Sequence, residues 1–254
     1  MKKLSAIIIT RNEEDQIKEC IKNISFADEI IVIDNGSTDQ TREIAKSFKA
    51  SVYTISLLDF GYLRNVGKEK AKGEWLFYID ADERVTPELK KEILDVVKKS
   101  STDACLIIRN NFFFGKPWPH SDKMTRLMKK SALIGWQGAL HETPMVSGII
   151  QKLHNPLLHY THNDIPSMLN KTNEWSEIEA QLRYKNNHPP MTVLRFFRIM
   201  STAFWGSYVT NDGWKAGTVG LIESMYQVFS SFVTYAKLWE KQNKHSIGLS
   251  HGVH

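Results

Sequence analysis

The sequence predicts an α/β fold: a Rossmann-like, mostly parallel sheet flanked by helices, followed by a C-terminal amphipathic helical region. Three observations carry this. Over the first hundred residues, short β-branched runs alternate with stretches of helical period. The strand runs are apolar throughout, as in a sheet covered on both faces. Polar clusters stand at the ends of those runs, where open α/β sheets bind ligands.

Leu4 to Thr10 is the first strand. Residues 13–24 carry Ile17, Cys20, Ile21 and Ile24, the stripe of a helix. Residues 29–33 form a second strand ended by Asp34-Asn35-Gly36-Ser37. Ser37 with Gln40 matches a capping box that would open a helix over 39–48. A strand over 51–55 and a helix over 63–72 follow. Residues 75–79 then make a fourth strand that stops at Asp80-Ala81-Asp82. Thr86-Pro87 supplies an N-cap and an N1 proline for a helix to about residue 98.

From 104 to 162 the character changes. Strand-like pieces at 104–108, 126–129 and 157–161 are separated by loops rich in Gly, Pro and aromatics. Residues 165–184 are helical, and Asn186-Asn187-His188-Pro189-Pro190 is a hinge. The expected organisation is an α/β domain over 1–188, in two halves of about 1–100 and about 101–188. An amphipathic region over 189–241 and a mobile tail over 242–254 complete the chain.

The 254 residues suffice for one sizeable α/β domain plus an appendage. With 42% hydrophobic and 24% charged residues, the composition is that of a globular protein. A net charge of +5 suits anionic partners without choosing among nucleotides, phosphorylated glycans, anionic lipid and nucleic acid. Cys20 and Cys105, the two cysteines, have no redox or metal spacing and are expected buried and reduced. The apolar run Ala6-Ile7-Ile8-Ile9 is too short for a signal peptide, so a cytosolic chain is expected.

Asp80-Ala81-Asp82 is the strongest chemical signal. Two carboxylates one residue apart, just past a buried strand, can meet Mg²⁺ or Mn²⁺ and leave positions open for phosphate oxygens. Such a metal offsets charge on a departing diphosphate. Asp34 ends the second strand, where a carboxylate could accept hydrogen bonds from a ribose or a base N–H. A plain strand-to-helix turn uses the same residue types.

Four motifs in this order, Thr10-Arg11-Asn12-Glu13-Glu14, Asp34-Asn35-Gly36-Ser37-Thr38-Asp39, Arg64-Asn65-x-Gly67 and Asp80-Ala81-Asp82, resemble glycosyltransferase family 2 and its GT-A fold. The similarity runs over nearly the whole chain and points to the lipopolysaccharide core β-1,4-glucosyltransferase-like branch. It implies an inverting, metal-dependent transfer of a hexose from a UDP-sugar, UDP-glucose favoured, to a glycan or lipid-linked acceptor. Thr10, Arg11, Glu13, Asp34 and Ser37 would line the nucleotide pocket, and Arg64 would lie near the phosphates. Asp80, Ala81 and Asp82 would serve ribose and metal. In Trp136-Gln137-Gly138-Ala139-Leu140-His141-Glu142, Glu142 resembles the family's catalytic base, with His141 the alternative because His-Glu stands where others show Glu-Asp. A histidine after the base would complete the metal site. His154, His159 and His162 are available, with His159 favoured; the segment His159-Tyr160-Thr161-His162 is expected to turn both its histidines to one face. A nucleotidyltransferase is the alternative enzyme, but it would need a Gly-rich phosphate loop that residues 10–14 lack.

Between residues 191 and 241, Phe196, Phe197, Phe204, Trp205, Tyr208, Trp214, Phe229 and Trp239 alternate with Arg195, Arg198, Lys215, Lys237 and Lys241. No uncharged stretch exceeds about 13 residues, short of the roughly 18 that cross a bilayer. Phe197, Met200, Phe204 and Tyr208 share one helical face, and Arg195, Arg198 and Thr202 another. That arrangement suits a helix in the headgroup region, so an anionic membrane surface is an expected partner, at the cytoplasmic face of the cell membrane. A homodimer interface or packing on the catalytic domain is the other reading, and a non-catalytic membrane adaptor the non-enzyme alternative. Recognisable RNA-binding motifs are absent, so no nucleic acid partner is expected.

Overall fold

The structure, a computed structural model, describes residues 3–57, 59–99, 101–140 and 142–243. His141 and most of the expected tail lie outside the described residues. Two compact units are present.

The first unit covers residues up to 111 and 121–160. Strands β1 (Leu4–Thr10), β2 (Glu29–Asp34), β3 (Ser51–Thr54) and β4 (Trp75–Asp80) run parallel in the order β3-β2-β1-β4. Beyond β4 the sheet continues through β7 (Lys116–Lys129), β6 (Ala104–Phe113), β11 (Leu157–Thr161) and β5 (Glu83–Val85), with β10 (Ile150–Lys152) beside β6. β8 (Leu133–Gln137) and β9 (Thr143–Val146) form a separate hairpin.

Successive residues of a strand point to opposite faces, and this sheet buries both. Ala6, Ile8, Val32, Phe77 and Ile79 pack with Ile17, Cys20 and Ile21 of α1 (Glu14–Asn23) and Leu89, Ile93 and Val96 of α4 (Pro87–Lys99). Ile7, Ile9, Ile31, Ile33 and Tyr78 pack on the other side with Leu63 and Val66 of α3 (Phe60–Lys70). Both cysteines are buried, and burial pushes the Cys105 thiol up to about 12. Thr86 caps α4 as expected, its Oγ1 accepting from the Leu89 N–H at 3.1 Å.

The middle segment is more regular than its sequence suggests. The pieces expected at 104–108 and 126–129 are parts of the long strands β6 and β7. The turn between them places Phe114 and Gly115 at φ of 49° and 71°, the two left-handed positions of a type I′ hairpin. Pro117 and Pro119 mask the second strand in the sequence.

The second unit covers 112–120 and residues from 161 onward. Helix α5 (Ile165–Lys185), placed above in the stretch 1–188, belongs to this unit and packs along α7 (Gly217–Asn243). Its buried residues Met168, Thr172, Ser176 and Ala180 form a stripe of spacing four that α7 covers. The Tyr226 hydroxyl donates to the Met168 carbonyl at 2.9 Å, and Lys237 reaches Asn173 Oδ1 at 3.0 Å. Helix α6 (Val193–Phe204) runs on into a π-helical turn (Trp205–Thr210). Gln242 and Asn243, expected in the tail, close α7, where Gln242 Nε2 donates to the His188 carbonyl at 2.9 Å.

Candidate active site

Register places the three polar clusters together. In β1 and β2, Thr10 lies beside Asp34; in β1 and β4, Ile9 lies beside Asp80. The strand order β3-β2-β1-β4 changes direction between β1 and β4, with α1 on one face of the sheet and α3 on the other, so this is the switch point where open α/β sheets bind ligands.

The loops after β1 and β2 are tied by side-chain bonds. Asp34 is fully buried and accepts from the Ser37 N–H at 3.2 Å. Ser37 Oγ accepts from the Asn12 N–H at 2.9 Å, and Asn12 Oδ1 accepts from the Thr38 N–H at 2.8 Å. Asn12 holds φ of 54°, a conformation its short amide side chain tolerates. The expected Ser37–Gln40 capping box is therefore not formed. Helix α2 (Thr41–Ser47) starts later, and the Thr41 N–H goes to Asp39 Oδ1 at 3.0 Å. Thr41 Oγ1 in turn accepts from the Glu13 N–H at 2.8 Å. Arg11 is exposed and Glu13 half-buried beside this network. Thr10 Oγ1 and Asn35 Nδ2 are buried without a protein partner, which leaves an acceptor-donor hydroxyl and an amide donor for a ligand.

At the acidic turn the two aspartates have different surroundings. Asp80 Oδ1 accepts from Arg64 Nη2 at 3.0 Å, and Asp80 Oδ2 from Arg126 Nη2 at 2.6 Å. Burial alone would raise its pKa, but Arg126 and Arg64 outweigh that and hold it well below the usual carboxylate range. Glu83 accepts from the Asp80 N–H at 2.9 Å and lies 3.3 Å from both Arg126 and Arg109. Burial raises its pKa against those cations. Arg109 also pairs with Asp122 at 2.9 Å. Ala81 is buried, and its carbonyl accepts from Arg84 Nη1 at 2.7 Å.

Asp82 faces a histidine instead. Strand β5 pairs with β11, Glu83 opposite His159, and the Tyr160 N–H donates to the Asp82 carbonyl at 2.9 Å. This brings His159 Nε2 to 3.3 Å from Asp82 Oδ2. His159 Nδ1 lies 2.7 Å from Asn111 Oδ1, an oxygen that can only accept, so Nδ1 carries the proton. His162 does not share this face. It lies past the strand at φ of 50° and pairs with Glu223 of the second unit at 2.8 Å. Residues three apart on a strand point to opposite sides, so the expected shared face fails on the period of two. His154 is exposed, and its N–H donates to Glu92 at 2.9 Å.

Glu142 completes the cluster. Arg64 Nε donates to Glu142 Oε1 at 2.7 Å, so one guanidinium holds Asp80 and Glu142 together. Trp136 lies under that guanidinium, 4.9 Å from ring centre to Cζ. Arg126, Arg109 and Asn111 escaped the sequence reading as site residues, while Asn65 and Glu83 stood within or beside its polar motifs without a role of their own. Of the first three, Arg126 left a trace, as a charge opening the apolar run Arg126-Leu127-Met128.

Fold and motifs together set the class: this is a glycosyltransferase with a GT-A fold. Residues 5–158 match the model of glycosyl transferase family 2, and the chain belongs to that family. An uncharacterized glycosyltransferase of Rickettsia bellii (strain RML369-C) is 28% identical over 257 residues, spanning 94% of this chain and 87% of the relative. The lipopolysaccharide core biosynthesis glycosyltransferase LpsC of Rhizobium meliloti (strain 1021) is 25% identical over 254 residues, spanning 94% and 92%. Among solved structures, S. aureus TarS 1-349 in complex with UDP-GlcNAc superposes with a TM-score of 0.50. It is 13% identical, with 98% of this chain and 93% of that chain covered, a likeness of fold alone.

Proposed function

We propose that this enzyme transfers a hexose, with inversion, from a UDP-sugar to a glycan or lipid-linked acceptor such as lipopolysaccharide core. The observation that carries the proposal is the shared guanidinium of Arg64, which gathers a base candidate and the acidic turn into one site. Similarity to LpsC supports the acceptor class. The UDP-GlcNAc complex of TarS supports a uridine nucleotide, with UDP-glucose favoured as donor here.

Thr10, Arg11, Glu13, Asp34 and Ser37 form the nucleoside end of the site. Thr10 Oγ1 and Asn35 Nδ2 offer the hydrogen-bonding groups that a base or ribose would satisfy. Glu142 accepts the proton of the acceptor hydroxyl as that oxygen attacks the anomeric carbon, and the nucleoside diphosphate leaves from the opposite side. Asp80, neutralised by two arginines, holds the acidic turn and does not add a free negative charge to it.

The donor set at Asp82 fits a divalent cation. His159 presents an Nε2 lone pair once Nδ1 donates to Asn111, and Asp82 supplies a carboxylate. A nitrogen ligand suits Mn²⁺ better than Mg²⁺, which prefers all-oxygen surroundings. No group of three metal-ligating side chains is present among the described residues, so phosphate oxygens of the donor and water would have to complete the coordination. The cation would offset the charge that develops on the leaving diphosphate.

The second unit is proposed to rest on anionic lipid at the cytoplasmic face of the membrane. Its exposed Leu194, Phe197 and Trp205 recur along α6 and the π-helical turn, with Arg198 exposed among them. The defining experiment measures UDP release from a panel of UDP-sugars with lipopolysaccharide core acceptors, with and without Mn²⁺. Acceptor-stimulated, Mn²⁺-dependent release from UDP-glucose is expected. Release from another UDP-hexose alone would replace the donor, and equal release in EDTA would remove the metal.

A further inference from the structure

Arg64 is a buried cation with three surroundings at once. Its Nε and Nη2 both lie 2.7 Å from Glu142 Oε1, and Nη2 also reaches Asp80 Oδ1 at 3.0 Å. Its Nη1 is buried without a protein partner. The rings of Trp136 and Tyr78 flank the guanidinium at 4.9 and 5.9 Å. The Tyr78 hydroxyl donates to the Arg64 carbonyl at 3.1 Å, fixing the backbone beneath it. A phosphate-binding arginine keeps its fork free for the ligand, whereas this fork is spent on two carboxylates.

Helix α3 holds the rest of the segment before Glu142 as well. Asn65 Nδ2 donates to the Trp136 carbonyl at 3.0 Å, and Asn65 Oδ1 accepts from the Trp136 N–H at 2.8 Å. That side chain thus satisfies one backbone residue completely, as a neighbouring strand would. Lys68 Nζ donates to the Ile134 carbonyl at 3.1 Å. At the start of the helix, the N–H groups of Phe60 and Gly61 donate to the carbonyls of Ala139 and Gly138 at 2.8 and 3.2 Å. A side chain on Gly61 would lie 2.6 Å from the Gly138 carbonyl oxygen, so the close approach requires a glycine there.

We propose that Arg64 and Asn65 are positioning residues for the transfer step, acting through Glu142 and not as principal phosphate ligands. Arg64 orients the Glu142 carboxylate, and Asn65 fixes the segment that carries it. The proposal rests on Glu142 being the base. A phosphate oxygen that meets Nη1 would engage the guanidinium that also holds the base, so donor occupancy and base geometry are linked through one rigid group.

A double-mutant cycle tests it, because residues that act through one another are not additive. Arg64→Lys keeps the charge but loses the fork. It should lower kcat on the order of a hundredfold, the scale of a misplaced base, while UDP dissociation constants stay within about threefold. In the Glu142→Gln background the same substitution should cost less than about threefold. Equal losses in both backgrounds, with UDP affinity weakened about tenfold, would make Arg64 a phosphate ligand and overturn the proposal. Asn65→Ala removes two hydrogen bonds without touching a charge. It should lower kcat with UDP affinity intact, and a normal kcat in a folded Asn65→Ala protein would equally overturn the proposal. Glu142→Gln by itself separates the two readings: if it turns over normally the base assignment falls, whereas an inactive Glu142→Gln with additive Arg64 losses removes only the positioning role.

Discussion

Asp80 and Asp82 stand two residues apart and meet opposite chemistry. Two guanidiniums claim the first, and an imidazole faces the second. Metal dependence should therefore track Asp82. Asp82→Asn is expected to abolish Mn²⁺-dependent UDP binding, read by calorimetry, while the circular dichroism spectrum stays unchanged. A mutant that binds UDP and turns over normally would remove the metal from this turn. Glu142→Gln should keep donor affinity and lose on the order of a hundredfold or more in transfer rate, measured with saturating donor. Loss of donor affinity in step with rate would give Glu142 a positioning role instead. Thr10, Arg11, Glu13, Asp34, Ser37, Asp80 and Asp82, named from sequence, share a trait: each sits in a short polar run at the end of an apolar strand, whereas Arg64, Glu142 and His159 were named through the family resemblance. Arg126 and Arg109 have no such context, because they reach the site from the middle of long strands whose pairing only the fold supplies.

Helix α3 shows why the motif Arg64-Asn65-x-Gly67 ends in a glycine. A Cβ at Gly67 would lie 2.5 Å from Ile7 Cγ2 on β1, so the helix sits against the sheet at a distance no side chain allows. Gly67→Ala should cost about 1–3 kcal/mol through overpacking, measured by urea unfolding. The same helix carries Arg64 and Asn65, so its displacement should lower the transfer rate in the folded fraction too. An alanine variant with wild-type stability would show that α3 can move away freely. Helices of the first hundred residues were legible by their period of 3.6, and the parallel strands as short apolar runs between them. Strands β6 and β7 were legible only at 104–108 and 126–129, since proline, exposed charge and half-burial blur a period of two over the rest. Helix α5 was legible as a helix but not as a member of the second unit, since a stripe of Met168, Thr172, Ser176 and Ala180 says that something packs there without saying what.

At the scale of the molecule, the candidate site lies in the first unit and the aromatic surface in the second. No described helix is long and apolar enough to cross a membrane. On α6, Phe196 and Ile199 pack inward with Met191 and Leu238. Val193, Leu194 and Phe197 remain outside, at 74%, 80% and 63% exposure. The stripe expected at Phe197, Met200, Phe204 and Tyr208 is thus graded, with Phe197 exposed and the other three half-buried. Helix α7 adds Leu221, Met225, Phe229, Phe232 and Trp239 as exposed apolar residues at helical spacing. Burying such a surface in the headgroup region recovers hydrophobic free energy, and each well-placed Lys or Arg adds about 1 kcal/mol against anionic lipid. Association should accordingly be reversible, stronger on anionic than on neutral vesicles, and weakened by salt. The double substitution Arg195→Glu and Arg198→Glu should release the protein from phosphatidylglycerol vesicles in a flotation assay. Leu194→Ser with Phe197→Ser should do so even at low salt, since these side chains supply the apolar part. Turnover of a small soluble acceptor should survive both changes, because no candidate donor-site residue belongs to the second unit. A wild-type protein that stays at the bottom of the gradient beside anionic vesicles would end the membrane reading. Sedimentation velocity on the same samples then decides between a homodimer that covers this surface and a monomer that leaves it bare.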